Sequence, residues 1–300
     1  MLRHRDFLLL VGGTLVSHTG DLLQSMAVNW LVFELTHSAF KLGLLGFCWM
    51  LPRLVFGAIG GVVADRVDRR RLLIITQTVA MLQSMVFLLL VVTGRITYGQ
   101  IVVLTIVLGI ADSLHFTARH AFVPLLVPRE ELQAAVALNA ATMNLTQVLG
   151  PSLGGILVGV LHVSGCLLVN TLSFVAILGA LLLMRFRSLV VERHEQSVVE
   201  QIVDGFRYVK NRQALWVPVI MAYAMAALAM AFSRILPVFA GDVLHGGVGA
   251  YGKLQTALGV GAIAASLGVA IRGRGSLSRL YLAVGFVVGA LGLFALSHRL

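Results

Sequence analysis

Charge is scarce in this chain. Asp, Glu, Lys and Arg make up 12% of its 300 residues, where an ordinary soluble protein carries about a quarter. Cysteine is nearly absent. Cys48 and Cys166 both lie in apolar segments and form no CxxC pair or disulfide framework, so they read as small buried side chains. The nine histidines are scattered, with no HExxH or similar pair, and no metal site is expected. There is no GxSxG, Walker A or dinucleotide fingerprint. No catalytic constellation, cofactor or nucleotide site is therefore expected, nor is transport driven directly by a nucleotide on this chain.

Apolar residues fill the space that charge leaves. They make up 58% of the chain, and the mean hydropathy is +0.93. No soluble domain hides that much apolar surface, so lipid is the expected solvent. The 31 glycines suit helices packed closely in a membrane. A net charge of +10 on a soluble protein would suggest nucleic acid. No basic run is interleaved with aromatics on a solvent-facing module, so nucleic acid is not expected. In a membrane protein the same excess marks basic cytoplasmic loops. The start, MLRHRDFLLLVGG, has the basic-then-apolar order of a signal peptide. Its apolar run continues to about Leu35, too long for a cleaved segment, and it reads as a first spanning helix.

The hydrophobic runs predict an all-α integral membrane protein with nine transmembrane helices. They fall at roughly 7–35, 40–64, 72–94, 98–119, 134–161, 165–185, 214–240, 249–271 and 279–297. With the N-terminus inside, seventeen Lys and Arg fall on inside segments and three on outside segments. That asymmetry predicts a cytoplasmic N-terminus and a multi-pass protein of the cell (inner or plasma) membrane. The longest inside connection, 186–213, contains VVEQIVDGFRYV, whose apolar residues recur at helical spacing. It predicts an amphipathic helix on the membrane surface. The chain thus divides into a six-helix bundle (1–185), that loop (186–213) and a three-helix part (214–300).

Polar groups inside spans are costly in lipid and point to function. In span one, Thr14, Ser17, His18, Asp21, Gln24 and Ser25 follow at steps of three or four, or directly adjoin such a step, giving one polar stripe. Asp21 is a candidate proton carrier, or else a structural carboxyl bonded to a neighbouring helix. Ser17 and Gln24 are candidate cavity-lining residues. Span four ends with Asp112, His115 and Arg119 on one face. These suit a proton relay in which Asp112 is a second coupling candidate, or an interfacial charge cluster, the reading favoured here. Arg53 and Arg234 each need a partner, and Asp21 is a candidate for either. In span five, NLTQVLGPSLGG places Pro151 among Gly150, Gly154 and Gly155. Proline bends a helix and the glycines admit a close neighbour. This is either a flexible seam between moving halves or an ordinary kinked helix. Asn144 and Gln147, on nearby turns, are further candidate cavity-lining residues.

Six of the seven residues from Asp65 to Arg71 are charged, between two apolar spans. The stretch GGVVADRVDRRRLL resembles the signature between helices two and three of the major facilitator superfamily, G-x-x-x-D-[RK]-x-G followed by basic residues. Gly61, Asp65 and Arg66 match, and Arg69, Arg70 and Arg71 supply the basic run. GPSLGG resembles the second half of the fifth-helix signature of exporters and antiporters. LVPREELQAAVALN and the Gly20–Asp21 pair are similar to the branch containing enterobactin exporters and macrolide efflux proteins.

The resemblance implies twelve helices in two six-helix halves, of which nine spans give a complete first half and a partial second. Missing C-terminal helices or a partner chain are then expected. It implies secondary transport of a small organic or amphipathic molecule, drug or siderophore type, coupled to protons. It also implies that Asp65 latches the inner gate against basic groups, for which Arg119 is a candidate partner. The alternative function is a truncated or non-transporting membrane protein, such as an assembly partner or sensor.

Overall fold

The computed structural model describes residues 4–185 and 234–257, with the side chains at 54, 57–66, 148, 151, 152 and 155 outside the description. Among the described residues the regular structure is helical, without a strand. The helices are α1 (Arg5–Thr36), α2 (Ala39–Arg66), α3 (Arg69–Val92), α4 (Tyr98–Phe122) and α5 (Leu132–Leu183). Two single 3-10 turns, Val123–Leu125 and Arg129–Glu131, join α4 to α5. The first four predicted spans coincide with α1 to α4, and spans five and six are the two arms of α5.

His162 divides those arms. Its φ of 57° and ψ of −177° interrupt an otherwise helical backbone. Contacts with α1 show that the chain reverses there. Gly150 and Gly154 meet Leu22 and Met26 in rising order. Beyond the break, Asn170 and Ser173 meet Gly20, and Ile177 and Ala180 meet Gly13, in falling order. The arms 132–161 and 163–183 therefore run antiparallel.

The connections are tight because local side chains complete the helix ends. Only Val67 and Asp68 separate α2 from α3. Asp68 caps α3, its carboxylate accepting from the backbone N–H groups of Arg70 and Arg71 at 2.9 and 3.2 Å. Thr97 and Gln100 form a reciprocal capping box at the start of α4. At the end of α1, His37 adopts a left-handed φ of 41°, and its N–H bonds the Phe33 carbonyl.

Alternating helices bring like ends together. At one end, Arg69 Nη1 donates to the Ala121 carbonyl at 3.1 Å, and the Asp6 carboxylate accepts from the Arg185 N–H. At the other end, the Tyr98 hydroxyl donates to the Lys41 carbonyl at 2.9 Å. Arg5, Arg69, Arg70, Arg71, Arg129 and Arg185 all belong to the first end.

Between the ends, the interior is layered. One apolar cluster, at the arginine-rich end, gathers Phe7, Leu10, Leu73, Phe122, Phe174 and Leu181. Another, at the opposite end, gathers Leu23, Trp30, Phe33, Leu45, Phe87 and Leu167. Between the two clusters α1, α3, α4 and the second arm of α5 contribute polar residues, among them Ser17, Ser84, Asp112 and Asn170.

Outer faces are apolar. On α3, Ile75, Val79, Leu82, Val86 and Leu89 are exposed at steps of three and four, the stripe of a helix facing lipid. Leu168, Leu172, Val175 and Leu182 do the same on the second arm of α5. Among the described residues three stretches reach the length and hydropathy needed to cross a bilayer, Arg69–Val92, Tyr98–Leu125 and Ile156–Leu183, the last including the break at His162, with mean hydropathies of 2.0, 1.9 and 2.4. The polar stripe of α1 lowers its own hydropathy.

The segment 234–257 packs on the last turns of α1. It is helical over 234–238, continues as a π-helical turn at Phe239–Val243, and resumes as helix over 247–257. Leu236, Ala240 and Tyr251 join the apolar cluster at that end, and Tyr251 stacks on Trp30 with ring centroids 5.8 Å apart. The predicted loop helix at 186–213, most of span seven and of span eight, and all of span nine lie outside the described residues, as does the count of nine.

Candidate functional site

The stripe on α1 has two edges with different surroundings. Thr14, Ser17 and Gln24 are buried, each under 5% exposed. His18 and Asp21 keep 30% of their side-chain surface open. The difference follows from what packs against each edge. Gly20 has no side chain, so Asn170 and Ser173 of α5 occupy the space a Cβ would fill. That contact draws the second arm onto the Ser17–Gln24 edge.

The buried edge forms a hydrogen-bonded network. Ser17 Oγ donates to Gln77 Oε1 at 3.4 Å, and the Gln77 amide meets the His115 ring at 3.0 Å. Gln24 Nε2 donates to Gln83 Oε1 at 3.3 Å. Gln24 Oε1 accepts from Ser84 Oγ at 2.8 Å and from Asn170 Nδ2 at 2.9 Å. Asn170 Nδ2 also reaches Asp21 Oδ1 at 3.4 Å. Ser17 and Gln24, expected on a cavity wall, thus tie α1 to α3 and α5. Where lipid offers no partner, such bonds are how buried polar side chains are satisfied.

The open edge carries the charges. His18 Nδ1 lies 3.9 Å from Asp21 Oδ2. Across from it, Arg53 Nη1 of α2 lies 3.6 Å from Asp112 Oδ2 of α4. Gln77 links the two pairs, meeting both Ser17, which precedes His18, and His115, one turn from Asp112. Two carboxyl groups, an imidazole and a guanidinium therefore share one region of α1, α2 and α4. Arg53 pairs with Asp112 rather than with Asp21, because α2 packs on α4. Arg234 finds Asn29, with Nη1 donating to Oδ1 at 2.5 Å.

Arg119 is 8% exposed. Its guanidinium donates to Asn139 Oδ1 and contacts Met143 Sδ at 3.2 Å, while its Nε has no hydrogen-bond partner among the described residues. Asn139, Met143, Asn144 and His120 help to line a cavity of about 280 Å³ between the end of α4 and the start of α5. Gln147 is exposed and does not line it.

In the signature loop, α2 remains helical through Gly61, Asp65 and Arg66, whose side chains lie outside the described residues. The pairing of Asp65 with Arg119 therefore lies outside the description. Arg69 and Arg70 reach the carbonyl ends of α4 and α5. Gly150 and Gly154 give α1 its approach at Leu22 and Met26. The backbone stays helical through Pro151 and Gly155, with both side chains outside the description.

Gln77, Gln83, Ser84, Asn170 and Ser173 were not singled out in the sequence. Their signal was present: Gln77 and Ser84 stand seven residues apart in an otherwise apolar span, on one helical face. The described residues contain no cluster of His, Cys, Asp and Glu suited to a metal ion.

Apolar outer faces around a polar inner layer are the architecture of a membrane helix bundle. Residues 1–299 match the profile of the transmembrane secretion effector family. The chain belongs to this family, of the major facilitator type. It is 25% identical over 252 residues to the staphyloferrin A transporter of Staphylococcus aureus, covering 83% of this chain and 62% of that one. It is 25% identical over 280 residues to the multidrug efflux pump Tap of Mycolicibacterium fortuitum, covering 89% and 67%. It is 20% identical over 236 residues to macrolide efflux protein A of Streptococcus pyogenes, covering 78% and 58%. The chain spans about six tenths of the length of the curated relatives it matches. These relatives are transporters and efflux proteins, not enzymes, and family membership makes this chain a multi-pass membrane protein.

Proposed function

We propose that this major facilitator protein exports small organic or amphipathic molecules across the cell membrane by alternating access, driven by protons. The observation that carries the reading is Asp21. It is a carboxyl in the polar layer, held by Asn170 on one side and open beside His18 on the other. A carboxyl so placed can exchange a proton with an aqueous cavity while its backbone stays fixed. Asp112, paired with Arg53, is the second coupling candidate. The names of the relatives, one a siderophore transporter and two efflux proteins, support a small organic substrate.

In this reading the N-terminus is cytoplasmic, so the arginine-rich end faces inward. Asp65, Arg66 and the following arginines then control the inner gate, with Arg119 a candidate partner. Gly150, Pro151, Gly154 and Gly155 form a packed seam, and Asn144 and Gln147 face the pathway. The segment 234–257, packed on the end of α1, closes the outer side. Alternating access rocks the two halves about the layer that holds Asp21.

The test is efflux from proteoliposomes carrying an imposed proton gradient, over a panel of drugs and siderophores. Gradient-dependent movement of at least one compound is expected. Asp21→Asn should abolish the dependence on the gradient while exchange down a substrate gradient survives. Full gradient-driven transport by Asp21→Asn would remove Asp21 from the coupling role. A wild-type protein that moves none of the panel would overturn export.

A further inference from the structure

Arg53 is an unusual cation. It stands in the middle of α2, in the polar layer beside Asp112 of α4, and 34% of its side chain is open. Among the described residues its one ionic partner is Asp112 at 3.6 Å, beyond hydrogen-bond distance. Among the described residues the guanidinium makes no hydrogen bond. It is held instead by two rings, lying 4.7 Å from the centroid of Trp49 and 5.5 Å from that of Phe116. Ring contacts stabilise the charge and consume none of its five N–H donors. The buried arginine of the same bundle behaves differently, since Arg119 spends its donors on Asn139 and Met143.

We infer that Arg53, Trp49 and Phe116 form a binding site for a carboxylate-bearing amphiphile, with Asp112 as the counter-ion it displaces. The guanidinium fork matches a carboxylate in bidentate geometry. Trp49 and Phe116 offer the apolar body of the ligand a surface, and Phe116 is 52% exposed. Asp112 holds the site neutral when it is empty. Its loose pairing lets a ligand carboxylate take the guanidinium by forming the hydrogen bonds that Asp112 does not. Use of the site in export rests on the transporter reading above. The binding preference itself does not.

The experiment uses the full chain in lipid nanodiscs and two probes with the same body, pyrenebutyrate and uncharged pyrenebutanol. Energy transfer from tryptophan to pyrene reports binding, with Trp49 at the site as the donor. Pyrenebutyrate should bind about tenfold more tightly than the alcohol, the effect of roughly one charge-assisted hydrogen bond. Arg53→Gln should erase that preference and leave alcohol binding intact, which also shows that the variant is folded. Arg53→Lys should keep part of it. Asp112→Asn removes the competitor and should tighten pyrenebutyrate severalfold without changing the alcohol.

Equal affinities in the wild type overturn the site. So does a preference that survives Arg53→Gln. Should Arg53→Gln not fold, unchanged pyrenebutyrate affinity in Asp112→Asn overturns it alone, and a selective gain supports it. Efflux measured in parallel separates the two readings. Export of uncharged compounds without an anion preference sinks only the site. A clear anion preference without any efflux supports the site and sinks the transporter.

Discussion

Arg70, at the start of α3, donates from Nε to the Leu181 carbonyl at 2.9 Å and from Nη2 to the Leu182 carbonyl at 3.1 Å. The last carbonyls of a helix have no partner within it and carry the negative end of its dipole. Arg70 satisfies two of them with one fork, and Arg69 serves Ala121 of α4 in the same way. The basic run therefore ties three helix ends together, besides any part it has in topology. Arg70→Ala should lower stability by about 2 kcal/mol, read as a lower thermal midpoint in detergent. Arg70→Lys should recover part of the loss. An unchanged midpoint in Arg70→Ala would show that these bonds contribute nothing net.

Gly20 and Ser173 make a second prediction. A Cβ at position 20 would overlap Ser173 Oγ and Asn170 Oδ1, and Asn170 is fully buried with its amide shared between Asp21 and Gln24. Gly20→Ala should therefore destabilise by roughly 1–3 kcal/mol through overpacking. Adding Ser173→Gly makes room and should restore part of the loss. A double variant no more stable than Gly20→Ala would place the damage elsewhere.

How far the sequence reached is visible in these residues. The α1 stripe was legible because a helix repeats every 3.6 residues and lipid penalises every polar side chain it meets. Helices α1 to α4 and the reversal in α5 were legible from the lengths of the apolar runs. The partners were not. Whether Arg53 meets Asp21 or Asp112 depends on α2 packing against α4, a pairing of helices that no spacing within one helix encodes. Likewise, Ser17 and Gln24 carry the same stripe signal as Asp21. Which edge is buried was decided by Gly20 admitting α5, and a glycine in a glycine-rich chain marks nothing by itself. Asp68 occupies a glycine position of the signature, yet the two-residue turn closes because an aspartate caps a helix well.

His162 supports a third prediction. Its φ of 57° with ψ of −177° lies in a region that side-chain-bearing residues rarely adopt. Glycine enters it without a Cβ penalty. The reversal between the arms of α5 needs that conformation, and His162 is exposed, so it contributes little packing. His162→Gly should raise stability by about 1 kcal/mol, and His162→Val should lower it. A lower thermal midpoint for the glycine variant would show that the imidazole makes a contribution larger than the strain.

The end of the bundle where 234–257 packs on α1 gives a fourth. Asn29 on α1 accepts from Arg234, and Trp30 stacks on Tyr251. Under the proposed alternating access these contacts separate once in each cycle, because no pathway passes a seam held by a half-buried arginine and a ring stack. Asn29→Cys with Arg234→Cys, in a background with Cys48 and Cys166 replaced by serine, places one thiol on each side. A short reducible crosslinker should then join them and stop efflux, and cleavage of the crosslink should restore it. Either single cysteine treated alike should transport normally. If the crosslinked protein exports at the uncrosslinked rate, this end does not open during transport. The segment 234–257 would then be a fixed part of the scaffold, and the pathway would have to leave the polar layer by another route.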